Sequence, residues 1–141
     1  ACRVGNPYNM PHEVACRTLA EGLIRLGVIS QSLDEALDPN TGELRRWYMH
    51  NTGHWLGLDV HDVGIYKPDG TPRLLEAGMV LTVEPGLYFG AWRPDVDCPE
   101  RYANIGIRIE DDVLVTEDGP DVLTHSCPKT IADIERIVGS A

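Results

Sequence analysis

The sequence has few basic residues and no long apolar run. Twelve Lys and Arg residues stand against 22 Asp and Glu residues among 141, which gives a formal net charge of −10. A surface with this charge repels nucleic-acid phosphates and anionic lipid headgroups, so we expect no nucleic-acid partner and no membrane partner. The apolar stretches are a few residues long, whereas a membrane-spanning helix needs about 20 apolar residues. These absences predict a soluble globular chain.

The sequence also lacks a C-x-x-C pair. Its four cysteines are far apart along the chain: Cys2, Cys16, Cys98 and Cys127. We therefore expect free thiols in a reducing compartment, the cytoplasm. The chain begins at Ala1, without an initiator Met or the layout of a signal peptide. We therefore expect it to be one partial domain, residues 1–141, of a longer polypeptide.

Apolar periodicity predicts where the helices lie. A spacing of three and four predicts a helix over residues 11–27, on whose apolar face lie Val14, Ala15, Leu19, Leu23 and Leu26. We expect Val14, Leu19, Leu23 and Leu26 to pack on the convex side of an antiparallel sheet whose concave side carries the polar site residues. Residues 30–47 predict a short helix, a loop and another helical turn, and residues 130–138 a last helix.

Branched and aromatic residues predict the strands. The strand-like segments are residues 58–60, 79–84, 86–89 and 105–116, and the proline-containing segment 90–103 predicts a loop. Within the last strand, three isoleucines (Ile105, Ile107 and Ile109) alternate with Gly106, Arg108 and Glu110, so one face is apolar and the other carries a charged pair. Helices first and strands afterwards predict an α+β fold with an antiparallel-rich sheet.

Three of the five histidines lie in one short segment, HNTGHWLGLDVHDVG, residues 50–64. Because Gly53 and Gly57 disfavour a continuous helix, His50, His54 and His61 are expected on a loop and an adjoining strand. Imidazoles at this density are typical of a metal or catalytic site. The alternative is that each ring hydrogen-bonds a backbone carbonyl in a half-buried corner.

Two glutamates follow at strand positions. Glu84 ends an apolar strand just before Pro85, where a buried carboxylate needs a positive neighbour, although a surface turn is the alternative. Glu110 shares a strand face with Arg108, which also suits a solvated Arg–Glu pair. Together with one imidazole, the two carboxylates suit Mn²⁺, Co²⁺ or Zn²⁺, and the share of oxygen donors favours Mn²⁺.

The segments HNTGHWLGLDVHDVG, TVEPGLYF and NIGIRIEDDVLVT resemble, in the same order, three motifs of the pita-bread metallopeptidases, most closely the Xaa-Pro aminopeptidases. The resemblance runs through residues 11–137. It implies the C-terminal portion of a pita-bread fold, with helices packed on a curved antiparallel-rich sheet. It also implies a hydrolase that removes the N-terminal residue from peptides with proline in second position, using water activated by two divalent ions, with Mn²⁺ favoured over Co²⁺ or Zn²⁺.

The resemblance implies roles only at matching positions. His54, Glu84 and Glu110 match metal ligands; Glu110 bridges the two ions, and Glu84 also acts as general base or acid. His61 and His50 match catalytic-pocket histidines, the first of which contacts the substrate near the scissile bond.

Arg108 matches an arginine that steadies the metal-binding carboxylates. This chain also departs from the family pattern. The family site needs two more aspartates, about ten residues apart, whereas only Asp34 and Asp38 precede His50, four residues apart. The chain therefore carries three of five expected ligands, and we expect it to be inactive alone, with reduced or no metal occupancy. Asn51 replaces the usual glycine, which would matter if that position had a positive φ.

Two other functions remain open from the sequence. One is a prolidase-type Xaa-Pro dipeptidase, and the other is a non-catalytic binding module on the same fold. A homo-oligomer is also left open.

Overall fold

The computed structural model describes residues 1–93 and 96–139. The long helix α1 spans Met10–Arg25, and Gly27 follows it with φ of 69°, a conformation that ends helices and favours glycine. Two short helices follow, α2 (Leu33–Ala36) and α3 (Leu44–Trp47), and α4 (Ile131–Val138) comes last. The helices predicted over 11–27, 30–47 and 130–138 are therefore confirmed. No helix in the described part of the chain is long and apolar enough to cross a membrane.

Five short strands form two antiparallel sheets within residues 1–93 and 96–139. They are β1 (Val80–Val83), β2 (Gly86–Tyr88), β3 (Gly106–Arg108), β4 (Asp111–Thr116) and β5 (Gly119–Val122). One sheet has the order β1-β4-β5 and the other pairs β2 with β3. Val80 lies opposite Leu114, and Gly86 lies opposite Arg108, so both pairings keep one register. The four strands β1 to β4 thus make one long interrupted hairpin, and its register sets Glu84 opposite Glu110.

The strand predictions need three corrections. Residues 58–60 form an exposed bend, with Leu58 fully exposed and Val60 70% exposed, because a β-branched run without a pairing partner gains nothing from extension. The predicted strand 105–116 is divided between β3 and β4. The strand β5 was not predicted, because its Gly-Pro start is atypical of strands.

The predicted loop 90–103 contains a short helical turn at Glu100–Tyr102, and its residues 94 and 95 lie outside the described part.

Strand alternation separates the two faces of the long hairpin. Even-numbered residues such as Thr82, Glu84 and Arg108 lie on one face, and odd-numbered residues such as Val83 and Ile107 lie on the other. The odd face looks toward α1 across two cavities of about 420 and 440 Å³, both of which Leu19 lines. This arrangement agrees with the expectation that α1 and the polar residues lie on opposite sides of the sheet.

The predicted packing face of α1 was only partly right. Leu23 is fully buried in a cluster formed mainly by residues of α1, α2 and α3 and by Phe89, against which Leu87 of β2 packs. Val14 is 51% exposed and Leu26 is 46% exposed. The three isoleucines of the odd face are also 43–60% exposed. Their apolar pattern therefore predicted the shared face but not its burial.

Candidate metal centre

His54, Glu84 and Glu110 converge although 56 residues separate the first from the last. One potential ligand atom from each lies within 4.8 Å of the other two. The His54 Nε2 atom is 3.4 Å from Glu84 Oε1, and both side chains are largely buried. Glu110 is exposed on the open side of the cluster. Two carboxylates directly opposite each other in a ladder repel, so this arrangement favours a cation between them.

The ring of His54 is oriented for ligation. Its Nδ1 lies 3.0 Å from the Trp55 carbonyl, which can only accept a hydrogen bond, so Nδ1 carries the proton. The Nε2 lone pair therefore points toward Glu84. On the other side of the residue, the backbone N–H donates to Thr82 Oγ1 at 3.1 Å. This hydrogen-bonding pattern is the one that histidine ligands adopt in metal sites.

Thr82 is a site residue that sequence reasoning missed. Its hydroxyl donates to Glu84 Oε1 at 3.0 Å and accepts from the His54 backbone, so one buried side chain fixes two potential ligands. The signal was available, because Thr82 precedes Glu84 by two residues and strand alternation puts both on one face.

Glycine at position 53 lets the histidine loop approach β1. A Cβ on Gly53 would lie 1.9 Å from the Thr82 carbonyl oxygen, so only glycine fits. Asparagine in place of glycine at position 51 causes no backbone strain, because Asn51 does not have a positive φ; the described non-glycine residues that do are Asp69 and Asn104.

Arg108 and His50 are connected by a residue that the sequence did not reveal, Tyr88. The Arg108 Nε donates to the Tyr88 hydroxyl at 2.7 Å, and that hydroxyl lies 2.9 Å from His50 Nε2. Because His50 Nδ1 faces the Asn51 carbonyl at 2.7 Å, Nδ1 carries the proton and Nε2 accepts from Tyr88. Arg108 also places Nη1 3.6 Å from Glu84 Oε2. The bond to Tyr88 and the charges of Glu84 and Glu110 raise the pKa of Arg108 despite partial desolvation.

His61 is brought near the cluster from the exposed bend and not from a strand. Its ring lies edge-on to His54, with 4.3 Å between centroids. Being exposed, the ring is accessible to a ligand on the open side.

A buried network supports the histidine loop from behind. His12 Nδ1 lies 2.9 Å from Thr52 Oγ1, which also bonds the Tyr48 hydroxyl. Burial lowers the pKa of His12 and raises the pKa of Tyr48 to about 12, so both groups are neutral near pH 7. The Thr52 carbonyl in turn accepts from the Glu84 backbone N–H at 2.6 Å. The network thus fixes the chain on both sides of the cluster.

A cavity of about 360 Å³ opens beside His54, and Thr82, Tyr8 and Asn9 also line it. Within the described residues, Asn9 Oδ1 is buried without a hydrogen-bond partner.

Comparison with known proteins gives consistent results. A model of metallopeptidase family M24 matches residues 1–117. The chain is 46% identical over 134 residues to the Xaa-Pro aminopeptidase of Haemophilus influenzae, covering 95% of this chain and 30% of that protein. It is similar in structure to Pseudomonas aeruginosa aminopeptidase PepP, with a TM-score of 0.89, 43% identity, and coverage of 99% of this chain and 30% of that one.

A zinc-substituted Escherichia coli aminopeptidase P in complex with product has a TM-score of 0.81 and 45% identity, with 98% of this chain and 30% of that chain covered. The chain thus spans about 30% of the length of these relatives. The similarity confirms the predicted α+β pita-bread fold, of which the chain forms a part.

Proposed function

Because the chain belongs to metallopeptidase family M24, we propose that it supplies part of the metal-binding and substrate-facing residues of an Xaa-Pro aminopeptidase. The observation that carries the proposal is the convergence of His54, Glu84 and Glu110, with ligand atoms within 4.8 Å of one another. A solvated Arg–Glu pair or a surface turn would not require the largely buried imidazole beside them. Relatives named Xaa-Pro aminopeptidase favour this activity over that of a prolidase-type dipeptidase.

The donor set fits divalent ions. One imidazole and two carboxylates suit Mn²⁺, Co²⁺ or Zn²⁺, and the oxygen share favours Mn²⁺. Glu84 and Glu110 supply two negative charges, whereas two divalent ions carry four positive ones. We therefore propose that two further carboxylates come from a segment of the polypeptide upstream of these residues. When bound, the ions would bring the pKa of a water toward neutrality and polarise the scissile carbonyl.

The chain's own residues then bind and orient the substrate. We propose that Glu84, which Thr82 and Arg108 contact, accepts a proton from the attacking water. We propose that His61, whose ring lies beside that of His54, donates a hydrogen bond to the scissile carbonyl oxygen. The His50 ring lies edge-on to Tyr48 at 5.0 Å and is fixed by Tyr88, so it offers a rigid wall for the proline ring.

The setting of the enzyme is also a proposal. All four cysteines are unpaired, which supports a reducing compartment such as the cytoplasm. Measurement of the molecular mass in solution would show whether the protein forms a homo-oligomer.

A chimaera tests the activity. These 141 residues would replace the matching segment of E. coli aminopeptidase P, and cleavage of Xaa-Pro peptides would be assayed with Mn²⁺, Co²⁺ or Zn²⁺. We expect the chimaera to be active and the 141 residues alone to be inactive. Glu110→Ala, Glu84→Gln and His54→Ala should each abolish turnover, whereas Glu117→Gln on the β4–β5 turn should not.

An unimpaired Glu110→Ala chimaera would refute the site assignment. Near-parental turnover by the 141 residues alone would refute the need for further carboxylates. Faster cleavage of Xaa-Pro dipeptides than of longer Xaa-Pro peptides would favour the prolidase alternative.

A further inference from the structure

The Glu110 carboxylate has no side-chain anchor of its own. Within residues 1–93 and 96–139, no hydrogen bond and no ion pair within 4 Å holds it. Glu110 lies in the break between β3 and β4, where one of the usual hydrogen bonds between the strands is missing. The Ile109 N–H donates to the Pro85 carbonyl at 3.2 Å, but Pro85 has no N–H with which to donate in return. Arg108 attracts this carboxylate electrostatically, and the position of the Glu110 backbone decides which atoms the carboxylate can reach.

The backbone just after Glu110 is tied to the segment that follows β5. Thr124 Oγ1 donates to Asp111 Oδ1 at 2.7 Å and accepts from the Asp112 backbone N–H at 3.0 Å. The Leu123 N–H donates to the Asp112 carbonyl at 2.9 Å. The Asp111 side chain and the Asp112 backbone, at the start of β4, are thus both tied to this segment.

Lys129 closes this arrangement. Its ammonium is 3.0 Å from Asp111 Oδ1 and 3.1 Å from each of the Thr124 and Cys127 carbonyl oxygens. A lysine has three donors, and all three are used. Both members of the ion pair are about one quarter exposed, so the contact is partly shielded from solvent. Because Glu110 and Asp111 point to opposite faces, the lysine holds the strand without occupying the site.

We propose that Lys129 is a positioning residue for Glu110: it fixes the start of β4 and so keeps the Glu110 carboxylate opposite Glu84. The proposal rests on the proposed function only in taking Glu110 as a metal ligand. The contact between Lys129 and β4 is independent of any metal, and it can be tested in the chain by itself.

Amide hydrogen exchange tests the positioning directly. In Lys129→Met, the amides of Asp112 and Leu123, whose hydrogen bonds tie the start of β4 to the segment after β5, should exchange about tenfold faster than in the parent chain, the size expected for losing one charge-assisted hydrogen bond. Arg136→Met is the matched control, because it removes an exposed ion pair with Asp133 on α4 that does not touch β4. Unchanged exchange at both amides in Lys129→Met would overturn the proposal.

Two further variants keep the test decisive. Thr124→Val, which removes the hydroxyl between Asp111 and Asp112, should accelerate the same amides and serves if Lys129→Met does not fold. Lys129→Arg retains the charge and should restore most of the protection. If Lys129→Met and Thr124→Val accelerated amide exchange evenly over the whole sheet, the variants would be generally destabilised, and the proposal would be overturned.

Calorimetric titration with Mn²⁺ of the chimaera, in which the two further carboxylates are present, separates this proposal from the proposed function. Lys129→Met should bind Mn²⁺ about tenfold more weakly, toward the lower end of the loss seen when supporting residues of metal sites are removed. If the parent and Glu84→Gln bound Mn²⁺ with equal affinity, the proposed metal site would be wrong. The role of Lys129 would then be judged from amide exchange alone. Parental affinity in Lys129→Met, with Glu84→Gln impaired, would overturn the positioning role alone.

Discussion

Replacing Glu110 by Gln should stabilise the metal-free chain and weaken its response to metal. The register sets Glu110 opposite Glu84, with potential ligand atoms at most 4.8 Å apart. At that distance two negative charges repel by about 1 kcal/mol in water and about 3.5 kcal/mol at an effective dielectric constant of about 20. Glu110 is exposed and Arg108 partly offsets the charge of Glu84, so the lower figure applies.

Removing one charge should therefore raise the unfolding free energy by about 0.5–1 kcal/mol. For a chain of this size that corresponds to a rise in Tm of roughly 2–4 °C. Mn²⁺ at about 100 times its Kd would stabilise the parent by about 2.7 kcal/mol. If the loss of one donor weakens binding about tenfold, the same Mn²⁺ concentration would stabilise Glu110→Gln by only about 1.4 kcal/mol.

The assay is thermal and denaturant unfolding of the two chains, each with and without Mn²⁺. Glu117→Gln is the matched control, since it makes the same charge change in the exposed turn between β4 and β5. A metal-free Glu110→Gln chain no more stable than the control, or one stabilised by Mn²⁺ as much as the parent, would refute the electrostatic argument.

Three other predictions follow from the packing around the centre. Thr82→Val leaves the His54 N–H without its partner and should lower the unfolding free energy by about 1–3 kcal/mol, measured by urea denaturation; no loss would mean that the hydroxyl does not hold the loop. Leu23→Ala in the fully buried core should cost about 2–5 kcal/mol in the same experiment, and a cost under about 1 kcal/mol would contradict the packing. Burial lowers the pKa of His12 in the folded chain, so the contribution of neutral His12 to stability is present above the unfolded pKa near 6.5 and is lost as pH falls through the folded pKa. His12→Gln should therefore flatten the decline of the unfolding free energy between about pH 7 and 5. An unchanged slope would contradict the prediction.

The sequence by itself predicted the positions of the helices and the three candidate ligands of the centre. Apolar spacing located α1 because helix periodicity depends on residues three and four apart. Alternation grouped Arg108 with Glu110, because consecutive strand residues point to opposite faces. The three motifs indicated His54, Glu84 and Glu110, since carboxylates and imidazoles at strand ends and loops are recognisable from a short segment.

Only the tertiary structure determined which distant residues meet and which surfaces are covered. The Tyr88 hydroxyl joins Arg108 to His50 across 20 and 38 residues, and Lys129 reaches Asp111 across 18, so neither contact leaves a local signal. The isoleucines of the odd face looked like core residues but are 43–60% exposed. A sequence pattern specifies which side chains share a face, whereas burial depends on what packs against that face, and strand register depends on pairing between segments far apart in the chain.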